Sequence, residues 1–169
     1  MNRHPMERQR TNRWNFALYI GVFAGLIWGG LKIIEYYFHF TTLPIGFLIE
    51  PFFLHSYVNT WQGMVTGWLA FILFSVVASL LYSVMLSQAK SAWIGIGYGA
   101  VWWGIIFLLI GPVTGMMNWI AFIDLNTILS DFCLFVLWGL FIGYSISFEF
   151  TDHRVSEPLK NASSEPERA

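Results

Sequence analysis

Lys32 and Glu35 interrupt the stretch GLIWGGLKIIEYYFHF, residues 25–40, where an apolar run suddenly carries two opposite charges. Three residues apart, they share one face of a helix and can pair. Asp131, set in another apolar run, is the second carboxylate that could meet Lys32. Ionisable side chains inside a membrane are costly and tend to pair or to line a polar path. These three are therefore the candidates for a polar site. His39, Glu50, His55 and Asp124 fall in the connections between apolar runs and are of types that bind zinc or relay protons. Their spacing matches no metal motif, so no metal and no cofactor is expected. No G-x-S-x-G, H-E-x-x-H or Walker-type loop occurs, which removes the common hydrolase, metalloprotease and nucleotide-binding signatures. Ser75, Ser79 and Ser83 sit at helix-packing spacing with no base nearby.

The elements that must position these residues are membrane spans. The chain is 56% hydrophobic and 11% charged, against roughly 25% charged in soluble proteins. A hydrocarbon core needs about 20 predominantly apolar residues in a helix. Four stretches satisfy this, at about 14–37, 63–86, 92–110 and 127–148. The expected fold is an all-α integral membrane protein with four transmembrane helices in a compact bundle, residues 14–148. The first run is too long for a cleaved signal peptide and no A-x-A-like site follows it. Counted from Trp14, Lys32 lies about 27 Å along its helix at 1.5 Å per residue. That predicts an interfacial charge, snorkelling and paired with Glu35, with Asp131 as the competing partner at similar depth.

Orientation follows from the basic residues. Eight of the nine Lys and Arg fall in residues 1–13, in the turn SQAKSAW and in residues 149–169, and the other two connections hold none. Both termini are expected in the cytoplasm. Residues 1–13 read as a basic arm held near anionic headgroups, and residues 149–169 as a disordered tail too polar to bury a core. The only basic cluster is this short arm, so no nucleic-acid partner is expected. The connection from Phe38 to Gln62 is long and apolar, with Pro44 and Pro51. Such a segment suits an interface or a re-entrant fold packed on protein.

Small residues at four-residue spacing recur in every span: Gly21, Gly25 and Gly29; Gly63 and Gly67; Gly95 and Gly99; Gly139 and Gly143. In lipid such stripes let helix backbones approach closely. Spans one and three also share G-x3-G-x2-W-x-G, through Gly21, Gly25, Trp28, Gly30 and Gly95, Gly99, Trp102, Gly104, the mark of either a repeated hairpin or convergence. The single cysteine, Cys133, reads as a small packing residue and precludes an intramolecular disulfide.

From NFALYIGVFAGLIWGG through the Pro-containing segment TTLPIGFLIEPFF, the chain resembles the YqhR family of small membrane proteins from Bacillus and related spore-forming bacteria. The likeness lies in layout and covers most of the chain between its tails. It implies a bacterial plasma-membrane location and brings no residue roles with it. The expected function is a non-enzymatic scaffold or accessory subunit in contact with the bilayer and with a membrane-protein partner or a second copy. The alternative is a small oligomeric transporter or channel with a polar path near Lys32, Glu35 and Asp131. A third reading is an enzyme acting on lipid through Glu50, His55 or Asp124.

Overall fold

The computed structural model describes residues 13–53, 55–85, 92–115 and 123–155. Helix α1 runs over Arg13–Tyr37, a short α2 over His55–Val58, α3 over Trp61–Met85 and α4 over Ala92–Gly104. A π-helical turn, Ile105–Ile110, carries α4 into the four-residue α5, Gly111–Thr114, and α6 spans Leu125–Val155. A 3-10 segment, Ile45–Ile49, lies between α1 and α2. No strand occurs among the described residues. Four helical runs are long and apolar enough to cross a membrane: Trp14–Tyr37, Trp61–Met85, Trp93–Thr114 and Leu125–Glu149. The chain is thus an all-α protein of four candidate spans.

Two of these runs outlast their expected ends. The third continues past 110 to Thr114 with Pro112 inside it, the backbone widening there rather than breaking. Proline lacks an N–H and its ring crowds the carbonyl four residues earlier; a π turn relieves both. Gly111 N–H accordingly reaches back to the Ile106 carbonyl. The helix ends at Gly115, in the left-handed region at φ 76°. The fourth helix continues past 148 to Val155, so the first residues expected to be disordered tail are helical. No Pro or Gly follows Gly143 until Pro158, and a helix leaving lipid has no reason to stop there. The arm at 1–12 and the tail beyond 155 lie outside the described residues.

The spans pack as two hairpins, α1 with α3 and α4 with α6. Cβ positions built on the glycines show how close the backbones come. At Gly21 a Cβ would meet Val76 Cα at 2.6 Å and Ser75 O at 3.0 Å, and at Gly25 it would meet Ile72 Cα. At Gly95 it would meet the Gly139 carbonyl at 2.9 Å, Leu140 Cα at 3.1 Å and Gly143 Cα at 3.2 Å, and at Gly99 the Phe135 carbonyl and Val136 Cα. The register is the same in both hairpins: Ser75, Val76 and Ile72 hold the places of Gly139, Leu140 and Val136. Corresponding residues also meet across the two second helices. Phe71 lies edge-on to Phe135 at 6.3 Å, and Phe74 stacks on Trp138 at 5.5 Å. Two copies of one hairpin related by an axis along the bundle would pack in this way, as parallel repeats do.

Gly63 and Gly67 serve a different contact from the helix–helix packing expected of them. Cβ atoms there would meet the Tyr57 and Val58 carbonyls, and Gly46 Cα and the Ile45 carbonyl, respectively. Gly63 gives the room in which α2 meets α3, and Gly67 the room that receives the 3-10 segment. Ile45, Phe47 and Ile49 are buried there, so the apolar connection folds back onto protein, which keeps its irregular backbone away from lipid. Cys133 is exposed. Its helical position faces outward from the bundle rather than into the core, contrary to the expectation drawn from its apolar surroundings.

Candidate functional site: a buried ion pair beneath the first connection

The Lys32 ammonium forms an ion pair with Asp131 Oδ1, joining α1 to α6. It also donates to Thr41 Oγ1 at 3.0 Å. Thr41 in turn faces Asp131 Oδ2 at 3.4 Å and accepts from Leu43 N–H at 3.2 Å. All three side chains are buried, with relative exposures of 4% for Lys32, 1% for Asp131 and 2% for Thr41. The expected interfacial pair between Lys32 and Glu35 is therefore replaced by a buried pair between Lys32 and Asp131. The reason is the connection: residues 38–49 fold over this end of the bundle, so depth along α1 alone does not bring Lys32 to water.

Neighbouring contacts seat that cover. Thr42 N–H donates to Thr127 Oγ1 at 3.0 Å, and the two hydroxyls lie 3.2 Å apart. Asp124 closes the start of α6, with Asn126 N–H donating to its carboxylate at 3.2 Å and Ile128 N–H to its carbonyl at 3.1 Å. That is a helix N-cap, and it gives Asp124 an architectural task. Glu35 is half-buried beside the pair, its Oε2 shielded and without a hydrogen-bond partner among the described residues. Glu50 ends the 3-10 segment, its N–H donating to the Phe47 carbonyl. His55 opens α2; its side chain lies outside the described residues. Among the described residues no group of three or more His, Cys, Asp or Glu is placed to hold a metal.

The end of α1 has an unusual cap. His39 N–H donates to the Tyr36 carbonyl and Phe40 N–H to the Glu35 carbonyl, the double closure of a Schellman motif. Its left-handed position, ordinarily glycine, is His39 at φ 60°. A non-glycine residue there costs about 1 kcal/mol. Replacing His39 by glycine should raise stability by about that amount in urea or thermal unfolding in detergent. An unchanged midpoint would mean that contacts of the imidazole already offset the strain.

The halves differ most where the charges are. In the shared register Ile106 stands where α1 has Lys32, and Gly67 stands where α6 has Asp131. The hairpin that lacks the acid uses that place to receive Gly46. Toward the bundle middle, Phe71 and Phe135, both buried, come between Asp131 and the next polar pair. That pair is Trp138 Nε1 donating to Ser75 Oγ at 3.0 Å. Beyond it, the Ser79 hydroxyl donates to the Ala17 carbonyl and the Tyr98 hydroxyl to the Ala78 carbonyl. The small polar residues of α3 thus satisfy backbone and indole groups across helix contacts. Sequence reasoning named Lys32 and Asp131 but not Thr41 and Thr127, whose only signal was polarity within an otherwise apolar stretch.

Helices of this length and polarity, packed through glycine stripes around a buried ion pair, define a multi-pass membrane protein. The profile of a family described as "Conserved membrane protein YqhR" matches residues 3–161, and the chain belongs to that family. A relative from Bacillus subtilis (strain 168), named "Uncharacterized protein YqhR", is 32% identical over 142 residues, covering 84% of this chain and 79% of its own. No solved structure matches the chain.

Proposed function

We propose that the chain is a non-enzymatic scaffold or accessory subunit of the bacterial plasma membrane, with both termini in the cytoplasm. The observation that supports this best is the mutual satisfaction of the three buried side chains Lys32, Asp131 and Thr41. Lys32 and Asp131 neutralise each other, Thr41 bonds to both, and the Phe71–Phe135 layer parts them from the Ser75–Trp138 pair. A transport path would instead need polar groups continuing along the axis. The distribution of Lys and Arg supports the orientation, and the Bacillus subtilis relative supports a bacterial membrane.

Two experiments test this reading. In proteoliposomes the intact protein should give no ion or proton flux above that of empty vesicles. Flux that disappears in D131L, while the variant still inserts, would establish the transporter alternative. For orientation, Cys133 is first replaced by alanine and single cysteines are placed at Phe52, which is 81% exposed, and at Ser164. An impermeant thiol reagent applied to intact cells should label position 52 and leave 164 unlabelled. The opposite pattern would invert the topology.

A further inference from the structure

Tyr82, near the end of α3, is fully buried, and Ser147, near the end of α6, is only 9% exposed. Neither Tyr82 Oη nor Ser147 Oγ has a hydrogen-bond partner among the described residues. Burying an unpaired hydroxyl is costly, and ordered water commonly meets the buried polar groups that protein partners leave over. We propose that Tyr82 and Ser147 hold a single structural water between α3 and α6.

Gly143 brings the two hydroxyls together. A Cβ built on it would lie 3.0 Å from Tyr82 Oη, so the phenol hydroxyl reaches the side-chain place that the glycine leaves open on α6. Ser147 follows Gly143 by four residues, one turn along the same face, and Cβ positions so related stand about 5–6 Å apart. Side chains on a helix lean back toward its N-terminus, which tilts the serine hydroxyl toward the same place. Two hydroxyls that share one water stand up to about 5.5 Å apart at ordinary O–H···O lengths, a separation that this placement allows. In the first hairpin the corresponding place is filled: Ser79 stands where α6 has Gly143, and its hydroxyl donates to the Ala17 carbonyl. Tyr98 meets the Tyr82 ring edge-on at 5.0 Å, but its own hydroxyl donates to the Ala78 carbonyl at 2.7 Å. The water accepts from one of the two hydroxyls and donates to the other. Ser147 lies 16 residues beyond Asp131, about 24 Å along α6. The water therefore fastens the two hairpins at the end remote from the ion pair, and it depends on neither the topology nor the scaffold reading above.

The test uses the full chain in detergent and pulsed X-ray radiolysis, which makes hydroxyl radicals from water wherever it is bound. Radicals from bulk water do not reach a side chain without exposed surface. Oxidation of Tyr82, read by peptide mass spectrometry, therefore reports water beside it. Tyr82 should be oxidised in the folded protein, while Trp138, equally buried and with its N–H on Ser75, stays intact. S147A should lower Tyr82 oxidation at least about fivefold, since a buried water needs two or more polar partners. Thermal unfolding gives a second readout. Y82F and S147A should each lower the midpoint, and the double variant should fall no further than the lower single, because either change releases the same water. An intact Tyr82 in the folded parent would overturn the proposal, as would oxidation unchanged in S147A. A midpoint raised by Y82F, the mark of a hydroxyl that had no partner, or additive losses from the two singles would overturn it as well.

Discussion

Replacing Asp131 by leucine should destabilise the protein by roughly 3–5 kcal/mol, the cost of leaving a buried partner charge uncompensated. Among the described residues, the Lys32 ammonium would keep only the Thr41 hydroxyl as an acceptor at hydrogen-bond distance and would lie among buried apolar side chains. Lys32→Met should do comparable damage by stranding the Asp131 carboxylate. The double variant K32M/D131L should recover most of the loss, because two apolar side chains of similar volume need no solvation. Unfolding in detergent, followed by tryptophan fluorescence, measures all three. Equal and additive losses from the singles, with no recovery in the double, would show that the two charges act independently. The cycle reads the coupling between them directly.

The second large effect is expected at the contact of α4 with α6. Gly99→Ala puts a methyl group against the Phe135 carbonyl and close to Val136 Cα. The obstacle is backbone, which cannot rotate aside as a side chain tip can. The helices must part, at a cost of about 3 kcal/mol from overpacking and lost close contact. Gly97, two residues away, has nothing within 4 Å of a built Cβ, so Gly97→Ala should leave stability within about 0.5 kcal/mol. The pair of variants separates packing from any general effect of alanine in a span. Equal midpoints for G99A and G97A would contradict the close approach.

The spans were legible because hydropathy over about 20 residues is a property of the chain itself. The stripes Gly21–Gly25 and Gly95–Gly99 were legible for the same reason: four-residue spacing fixes a helix face. What a face meets is a different matter. Gly63 and Gly67 have the same spacing, yet they receive parts of the connection rather than another span, Tyr57 and Val58 at Gly63 and Ile45 and Gly46 at Gly67. Nothing local to α3 distinguishes the two uses. Lys32 shows the same limit. Its depth along α1 was countable, but its burial depends on how residues 38–49 fold back and on the rotation of α6, which sets Asp131 opposite. Glu35 was the nearer candidate by sequence, and tertiary placement chose the residue 99 positions away. Cys133 went the other way, since an apolar run on a lipid-facing side looks like a core run when read in one dimension.

Chemical labelling of Lys32 in the intact, unmutated protein tests most directly whether this charge is a buried fastener. The purified protein in detergent is treated with an amine-reactive ester, before and after denaturation in dodecyl sulfate, and modification is quantified by peptide mass spectrometry. A lysine held under the connection should stay unmodified in the folded protein and react once the fold is lost. Reaction of Lys32 to the same extent in both states would place it at the water interface, and the ion pair with Asp131 would no longer account for how the two hairpins are joined.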